Sequence, residues 1–66
     1  MSVSIPKSFP PGTRFAEFDG IPISEDADRN ALAWDIPGGR RFLIGSSLAN
    51  CKRISEAKFR ALVEQF

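Results

Sequence analysis

The chain has 66 residues, of which 42% are hydrophobic and 26% are charged, and its formal net charge is +1. This composition is typical of one small folded domain, residues 1–66, and it excludes a multidomain or a disordered chain. There is no histidine and a single cysteine, Cys51. These counts exclude a Cys/His zinc site, a Ser-His or Cys-His nucleophile and an internal disulfide.

Catalysis is not expected from such a chain. A domain of this size buries only about 60% of its unfolded surface, which leaves little depth for a dry active site. We therefore expect no enzyme, no cofactor and no metal ion. The longest unbroken apolar run is only four residues, Ala31 to Trp34, too short for a membrane span or a signal peptide. A cytoplasmic location with no membrane partner is the expectation that follows.

The first twelve residues contain three prolines and a glycine. Proline interrupts helices and removes donors from strands, so residues 1–12 predict an extended arm rather than a regular element. Phe9 is the large apolar side chain that would hold this arm against the rest of the domain.

Residues 13–45 predict two β-hairpins. In the first, Thr13–Phe18 and Ile21–Ser24 flank Asp19-Gly20, a favoured dipeptide for a tight hairpin turn. Pro22 lacks a backbone N–H, which predicts that the second strand is short or lies at a sheet edge. An open edge of this kind favours strand addition by a partner.

Residues 25–34 fit two patterns. Ser24 is a suitable N-cap for a helix whose first turn is acidic. The other pattern is that of a half-buried strand, in which every second side chain points inward. Leu32, Trp34 and Ile36 fit it, because they alternate with Ala33 and Asp35. We favour an acidic loop followed by a strand, and the helix stays the alternative.

The second hairpin would turn at Pro37-Gly38-Gly39 and continue in a strand over Arg40–Ile44. In that arrangement Trp34 and Phe42 would pair across the two strands. Gly45-Ser46-Ser47 would end the strand.

The C-terminal segment carries the clearest helix pattern. Ser55 is a suitable N-cap for a helix over 55–66, and Ile54 and Phe59 occupy hydrophobic-staple positions. A helix of this length is marginal alone in water, so its apolar stripe must pack on the sheet. The stripe consists of Phe59, Leu62, Val63 and Phe66.

The predicted fold is therefore α+β, a small antiparallel sheet of three or four strands packed against one C-terminal helix. A core this small supplies about 3–5 kcal/mol of net folding stability, and formation of a homodimer would add to it. The predicted core comprises Phe15, Phe18, Ile21, Ile23, Leu32, Trp34, Phe42, Ile44, Phe59, Leu62 and Val63.

Charge is distributed unevenly along the chain. Residues 1–38 carry three basic and six acidic side chains, whereas residues 39–66 carry six basic and two acidic ones. Such asymmetry is found in proteins with a polyanion-binding face. The N-terminal N–H groups of the helix and residues 45–47 would add phosphate donors. The candidate basic face consists of Arg40, Arg41, Lys52, Arg53, Lys58 and Arg60.

Two functional hypotheses follow. The first is a non-enzymatic protein-interaction module, an adaptor or inhibitor that docks on a larger protein, as small proteins of phage and mobile elements do. The alternative is a nucleic-acid-binding protein that contacts phosphates through the basic face.

Overall fold

The computed structural model describes residues 5–42 and 48–66. Within these residues, five short strands form one open antiparallel sheet, and one helix packs on it. The predicted α+β architecture is confirmed, with five strands instead of three or four. A 3-10 turn at Leu48–Asn50 precedes the last strand. The elements are β1 (Arg14–Phe18), β2 (Ile21–Glu25), β3 (Ala31–Ala33), β4 (Arg40–Arg41), β5 (Lys52–Arg53) and α1 (Glu56–Val63).

The strand order is β4-β3-β2-β1-β5, so β2 is the central strand and the prediction that Pro22 marks an edge is wrong. The carbonyl of Pro22 accepts a hydrogen bond of 2.9 Å from the backbone N–H of Trp34. In an antiparallel strand the N and O of one residue face the same neighbour. The missing N–H of Pro22 therefore faces Trp34, one residue beyond the end of β3, where the ladder is already ending.

The first hairpin has the predicted turn. Phe18 is paired with Ile21, which leaves Asp19 and Gly20 as a two-residue loop. Both turn residues are left-handed, with φ of 54° and 81°. This is the backbone that a type I′ turn requires, and Asp-Gly is among the sequences that adopt it most readily.

The acidic loop is confirmed for residues 26–30 and so is the strand that follows, but Glu25, which was predicted in the loop, is the last residue of β2. The helix alternative is wrong. Asp26 and Asn30 close the loop, with the N–H of Asp26 donating to the carbonyl of Asn30. Strand β3 ends at Ala33, so Ile36 lies outside the ladder and is 44% exposed. The predicted strand 40–44 is β4 in its first two residues, and residues 43–47 lie outside the described part of the chain.

The two faces of the sheet carry separate hydrophobic clusters. On the first, which we call the helix face, Phe15 and Trp34 pack with Phe59 and Val63 of α1. Successive side chains of a strand point to opposite faces, so the intervening residues build the second cluster. That cluster consists of Ala16, Ile23, Ala33, Phe42 and Leu48, with Phe18, Ile21, Ala31 and Cys51 packed against it.

The predicted pairing of Trp34 with Phe42 is wrong because these rings lie on opposite faces. The N–H of Phe42 donates to the carbonyl of Ala31, which places Phe42 in the second cluster. Its ring contacts Phe18, with centroids 5.6 Å apart. Trp34 instead packs on the helix face against Phe9.

Seven of the eleven predicted core residues are buried. Phe18, Ile21 and Leu32 are partly buried, and Ile44 lies outside the described residues. The core members that the prediction omitted are two alanines and a leucine, Ala16, Ala33 and Leu48.

The helix begins where the sequence predicts. The Ser55 hydroxyl accepts a hydrogen bond of 3.2 Å from the N–H of Lys58, and Ile54 packs against the cluster that contains Phe59. Helix α1 ends at Val63, three residues before the predicted end, and Phe66 is 38% exposed.

The arm is held to the helix face as predicted for Phe9. Its ring centroid lies 5.1 Å from that of Phe15, 5.6 Å from Phe59 and 6.4 Å from Trp34, and all three contacts are edge-to-face. Aromatic pairs of this geometry contribute about 0.5–1.5 kcal/mol each beyond the area they bury. Within residues 5–10, which have no regular structure, Ile5 and Phe9 therefore pack against the core, while residues 1–4 of the predicted arm lie outside the described part.

We expect Ser24→Ala to destabilise the protein, because the buried Ser24 hydroxyl accepts the indole N–H of Trp34 at 2.7 Å. Leaving that donor unsatisfied costs about 1–3 kcal/mol, which lowers the melting temperature of a domain this size by roughly 4–24 °C. Ser8→Ala, at an exposed serine, is the matched control and should change little. Equal melting temperatures for the two variants would contradict this account of Ser24.

Candidate functional site

A groove runs between the N-terminal arm and the helix face of the sheet. Its volume is about 300 Å³, at the lower end of the range for ligand pockets. The arm forms one wall, and β2, β3 and the loop between them form the other. The lining residues are Pro6, Phe9, Pro10, Thr13, Ser24, Asp26, Asn30, Leu32 and Trp34.

Three polar side chains of this groove donate hydrogen bonds within the protein. The indole N–H of Trp34 donates to Ser24, as described above. The Thr13 hydroxyl donates to the carbonyl of Pro10 at 2.6 Å, and the side-chain amide of Asn30 donates to Asp26 at 3.3 Å. The groove therefore presents mainly apolar surface, together with one carboxylate, that of Asp26.

Asp26 is held rigidly at the rim of the groove. Its Oδ1 accepts hydrogen bonds of 2.9 Å from the backbone N–H groups of Asp28 and Asn30. These bonds, above all the one from the Asn30 backbone, lower the pKa of Asp26. The carboxylate is consequently ionised at neutral pH, and its orientation is fixed by the loop.

Arg60 fixes the arm that forms the opposite wall. Its Nη1 and Nη2 donate to the carbonyls of Pro6 and Lys7 at 3.1 and 2.9 Å, and its Nε donates to Glu56 at 2.9 Å. The guanidinium carbon also lies 5.3 Å from the centroid of the Phe9 ring. This candidate of the basic face is therefore engaged in holding the arm.

The structure does not bring the six candidate basic residues together. Arg40 and Arg41 form β4, whereas Lys52 and Arg53 form β5, at the opposite edge of the sheet. Four inter-strand spacings separate the two edges, a distance of about 19 Å. Lys58 lies in the first turn of α1 and is exposed.

Several of these cations also have acidic partners. Arg40 makes two hydrogen bonds to Asp35, at 2.8 and 2.9 Å, and this contact lowers the pKa of Asp35. Lys52 lies 4.0 Å from Glu17. Among the described residues, no carboxylate lies within 4.0 Å of the remaining three candidates, which are Arg41, Arg53 and Lys58. Residues 45–47, which were expected to add phosphate donors, lie outside the described part of the chain.

One buried ionisable group was not predicted as a feature of interest. Glu25 ends β2 with only 3% of its surface exposed. Its Oε1 lies 3.9 Å from Arg14, and its Oε2 accepts no hydrogen bond from the described residues. The alternation of Ile21, Ile23 and Glu25 along β2 is the signal that places this carboxylate on a covered face.

Glu25 also influences the only thiol. Cys51 is half-buried, and burial, followed by the negative charge of Glu25, raises the pKa of the thiol. A thiol with a raised pKa is a poor nucleophile at neutral pH, because the thiolate is the reactive form.

The groove was not predicted from the sequence. The prolines of the arm and Phe9 indicated a tethered segment, but the groove depends on how the tertiary fold places that segment relative to Leu32 and Trp34. Within residues 5–42 and 48–66, no group of three or more potential ligands is placed to hold a metal ion. Within the same ranges, no helix has the length and apolar content needed to cross a bilayer.

Comparison with protein-family models, curated proteins and solved structures finds no significant match.

We expect Glu25→Gln to lower the pKa of the Cys51 thiol, because it removes the negative charge that disfavours the thiolate. The pKa should remain above that of a free cysteine, since burial still acts. The measurement is the pH profile of Cys51 alkylation by iodoacetamide, with Asp28→Asn as a control of equal charge change. A profile unchanged by Glu25→Gln contradicts the coupling.

If the basic residues bind phosphates, the two edges should contribute unequally. Arg40 is engaged by Asp35, so Lys52→Ala with Arg53→Ala should weaken duplex DNA binding more than Arg40→Ala with Arg41→Ala. The first double variant should also reduce the salt slope by about two. Fluorescence anisotropy at about 50 and 200 mM salt measures both effects. Absence of binding at the lower salt, or equal effects of both pairs, contradicts this assignment.

Proposed function

We propose that this protein is a small non-enzymatic protein-interaction module, an adaptor or inhibitor that takes a short apolar segment of a partner protein into the groove between its arm and its sheet. The observation that carries the proposal is the chemistry of that groove. It is lined mainly by proline and large apolar side chains, and the Trp34 indole, the Thr13 hydroxyl and one Asn30 amide N–H donate hydrogen bonds within the protein. Such a surface gains by excluding water and offers few hydrogen bonds to a polar ligand.

The size of the groove limits what it can hold. A cavity of about 150 Å³ accommodates a benzene-sized group, so 300 Å³ matches one or two side chains. Stable interfaces between folded proteins bury about 1,200–2,000 Å² in total. The groove alone therefore supports a weak contact with a short segment, in which one or two apolar anchors carry most of the binding energy.

Strand addition, the mode that the sequence favoured, has little support from the observed edges. Both edge strands, β4 and β5, are two residues long and consist entirely of basic residues. Short edges bearing charged side chains are a common protection against pairing with another chain. The groove is the better candidate for a partner segment.

We expect groove residues, and not other exposed apolar residues, to be needed for peptide binding. Peptides selected from a random display library against the immobilised protein should shift the indole N–H resonance of Trp34, the only tryptophan. Leu32→Ala should weaken their binding at least about fivefold, as truncation of an interface anchor does. Ile36→Ala, which truncates an exposed residue outside the groove, should leave binding unchanged.

Both variants are first compared with the parent by thermal unfolding, because Leu32 also packs against the helix-face cluster. Titrations are then carried out at a temperature where both are folded. Selected peptides that bind Leu32→Ala and Ile36→Ala equally well, or that leave the Trp34 indole resonance unmoved, contradict the proposal.

A further inference from the structure

We infer that the groove selects a segment in which a lysine or arginine lies next to the apolar anchor, and that Asp26 determines this preference. The inference rests on the proposed function and names the partner chemistry of the same site. Its basis is the combination of an apolar trough with one fixed carboxylate at the rim.

Asp26 is the only charged residue among the nine that line the groove. It is partly exposed, so an incoming cation can reach it without a large desolvation cost. Two backbone N–H groups hold its Oδ1 in place, so little side-chain entropy is lost when a partner binds. A fixed carboxylate of this kind attracts a cationic partner residue and repels an acidic one.

Two donors of the groove are already bonded within the protein, and this limits the kinds of segment that the groove can bind. Grooves that recognise proline-rich helices or phosphorylated segments need donors for carbonyl or phosphate oxygens. Here the indole N–H of Trp34 is taken by Ser24, and the hydroxyl of Thr13 is taken by Pro10. The lining contributes no cation, so an acidic or phosphorylated segment gains nothing to offset repulsion by Asp26.

The arginines near the groove do not neutralise the negative charge of Asp26 and its loop. Arg14 and Arg29 line a separate depression of about 180 Å³ that also borders Asp26. Arg14 lies 3.9 Å from the buried carboxylate of Glu25, which matches its charge. The loop from Asp26 to Asn30 carries two carboxylates and one guanidinium, so its net charge stays negative.

The test compares selections from one random-peptide display library against three proteins: the parent, Asp26→Asn and Asp28→Asn. Asparagine retains an oxygen that accepts the loop N–H groups, so the loop is preserved while the charge is lost. Asp28 carries a carboxylate in the same loop but does not line the groove, and it controls for net charge.

Peptides enriched by the parent and by Asp28→Asn should place lysine or arginine beside an apolar residue, and Asp26→Asn should lose that preference. For one such peptide, Asp26→Asn should reduce affinity about two- to fivefold at low salt, the range of an exposed ion pair. The difference should shrink as salt is raised.

The failures of the two proposals are distinguishable. Apolar peptides without a basic neighbour, or an equal basic preference on Asp26→Asn, overturn the inference while leaving the groove as a binding site. Enrichment of acidic peptides overturns the inference in the same way. Selected peptides insensitive to Leu32→Ala overturn the proposed function and the inference together.

Discussion

The central strand β2 is enclosed on every side, and the rest of the structure depends on this enclosure. Strands flank both of its edges and hydrophobic clusters cover both of its faces. From Pro22 to Glu25 each residue is buried, although the strand includes a serine and a glutamate. Buried polar groups need partners, so each of these residues imposes a demand on its surroundings. Ser24 meets this demand through the indole of Trp34, which in turn sets the position of the segment after β3.

The position of the N-terminal arm also depends on the helix face of the sheet. Helix α1 covers part of the helix face, and Phe9 supplies the remaining aromatic contacts to Phe15, Phe59 and Trp34. The carbonyl groups of a segment without regular structure still need hydrogen-bond donors, and Arg60 donates to those of Pro6 and Lys7 while it also donates to Glu56. The arm is thus held at Pro6 and Lys7 by hydrogen bonds from Arg60 and at Phe9 by aromatic packing. The groove lies between this fixed segment and strands β2 and β3.

Local sequence patterns predicted most of the turns, strands and helix ends. They did not predict the order of the strands in the sheet or the face on which Phe42 lies. The Asp19-Gly20 turn, the N-cap at Ser55 and the alternation into β3 are decided by a few neighbouring residues, and each was predictable. Strand order is decided by which edges find partners across the chain, so the rule that proline prefers edges misplaced Pro22. The face of Phe42 depends on the register of β4 against β3, which a one-residue change would invert.

The candidate site shows the same division more sharply. Counting charges along the chain correctly finds a basic C-terminal half, but a sum over sequence carries no information about where the sheet places each cation. Two basic pairs became the two edge strands, where charge opposes pairing with other chains, and Arg60 became a clamp for the arm. Asp26 had been one member of an acidic loop with no special role. Its position beside an apolar groove is the basis on which we infer a role for this single carboxylate in partner choice, whereas the basic pairs lie at opposite edges of the sheet.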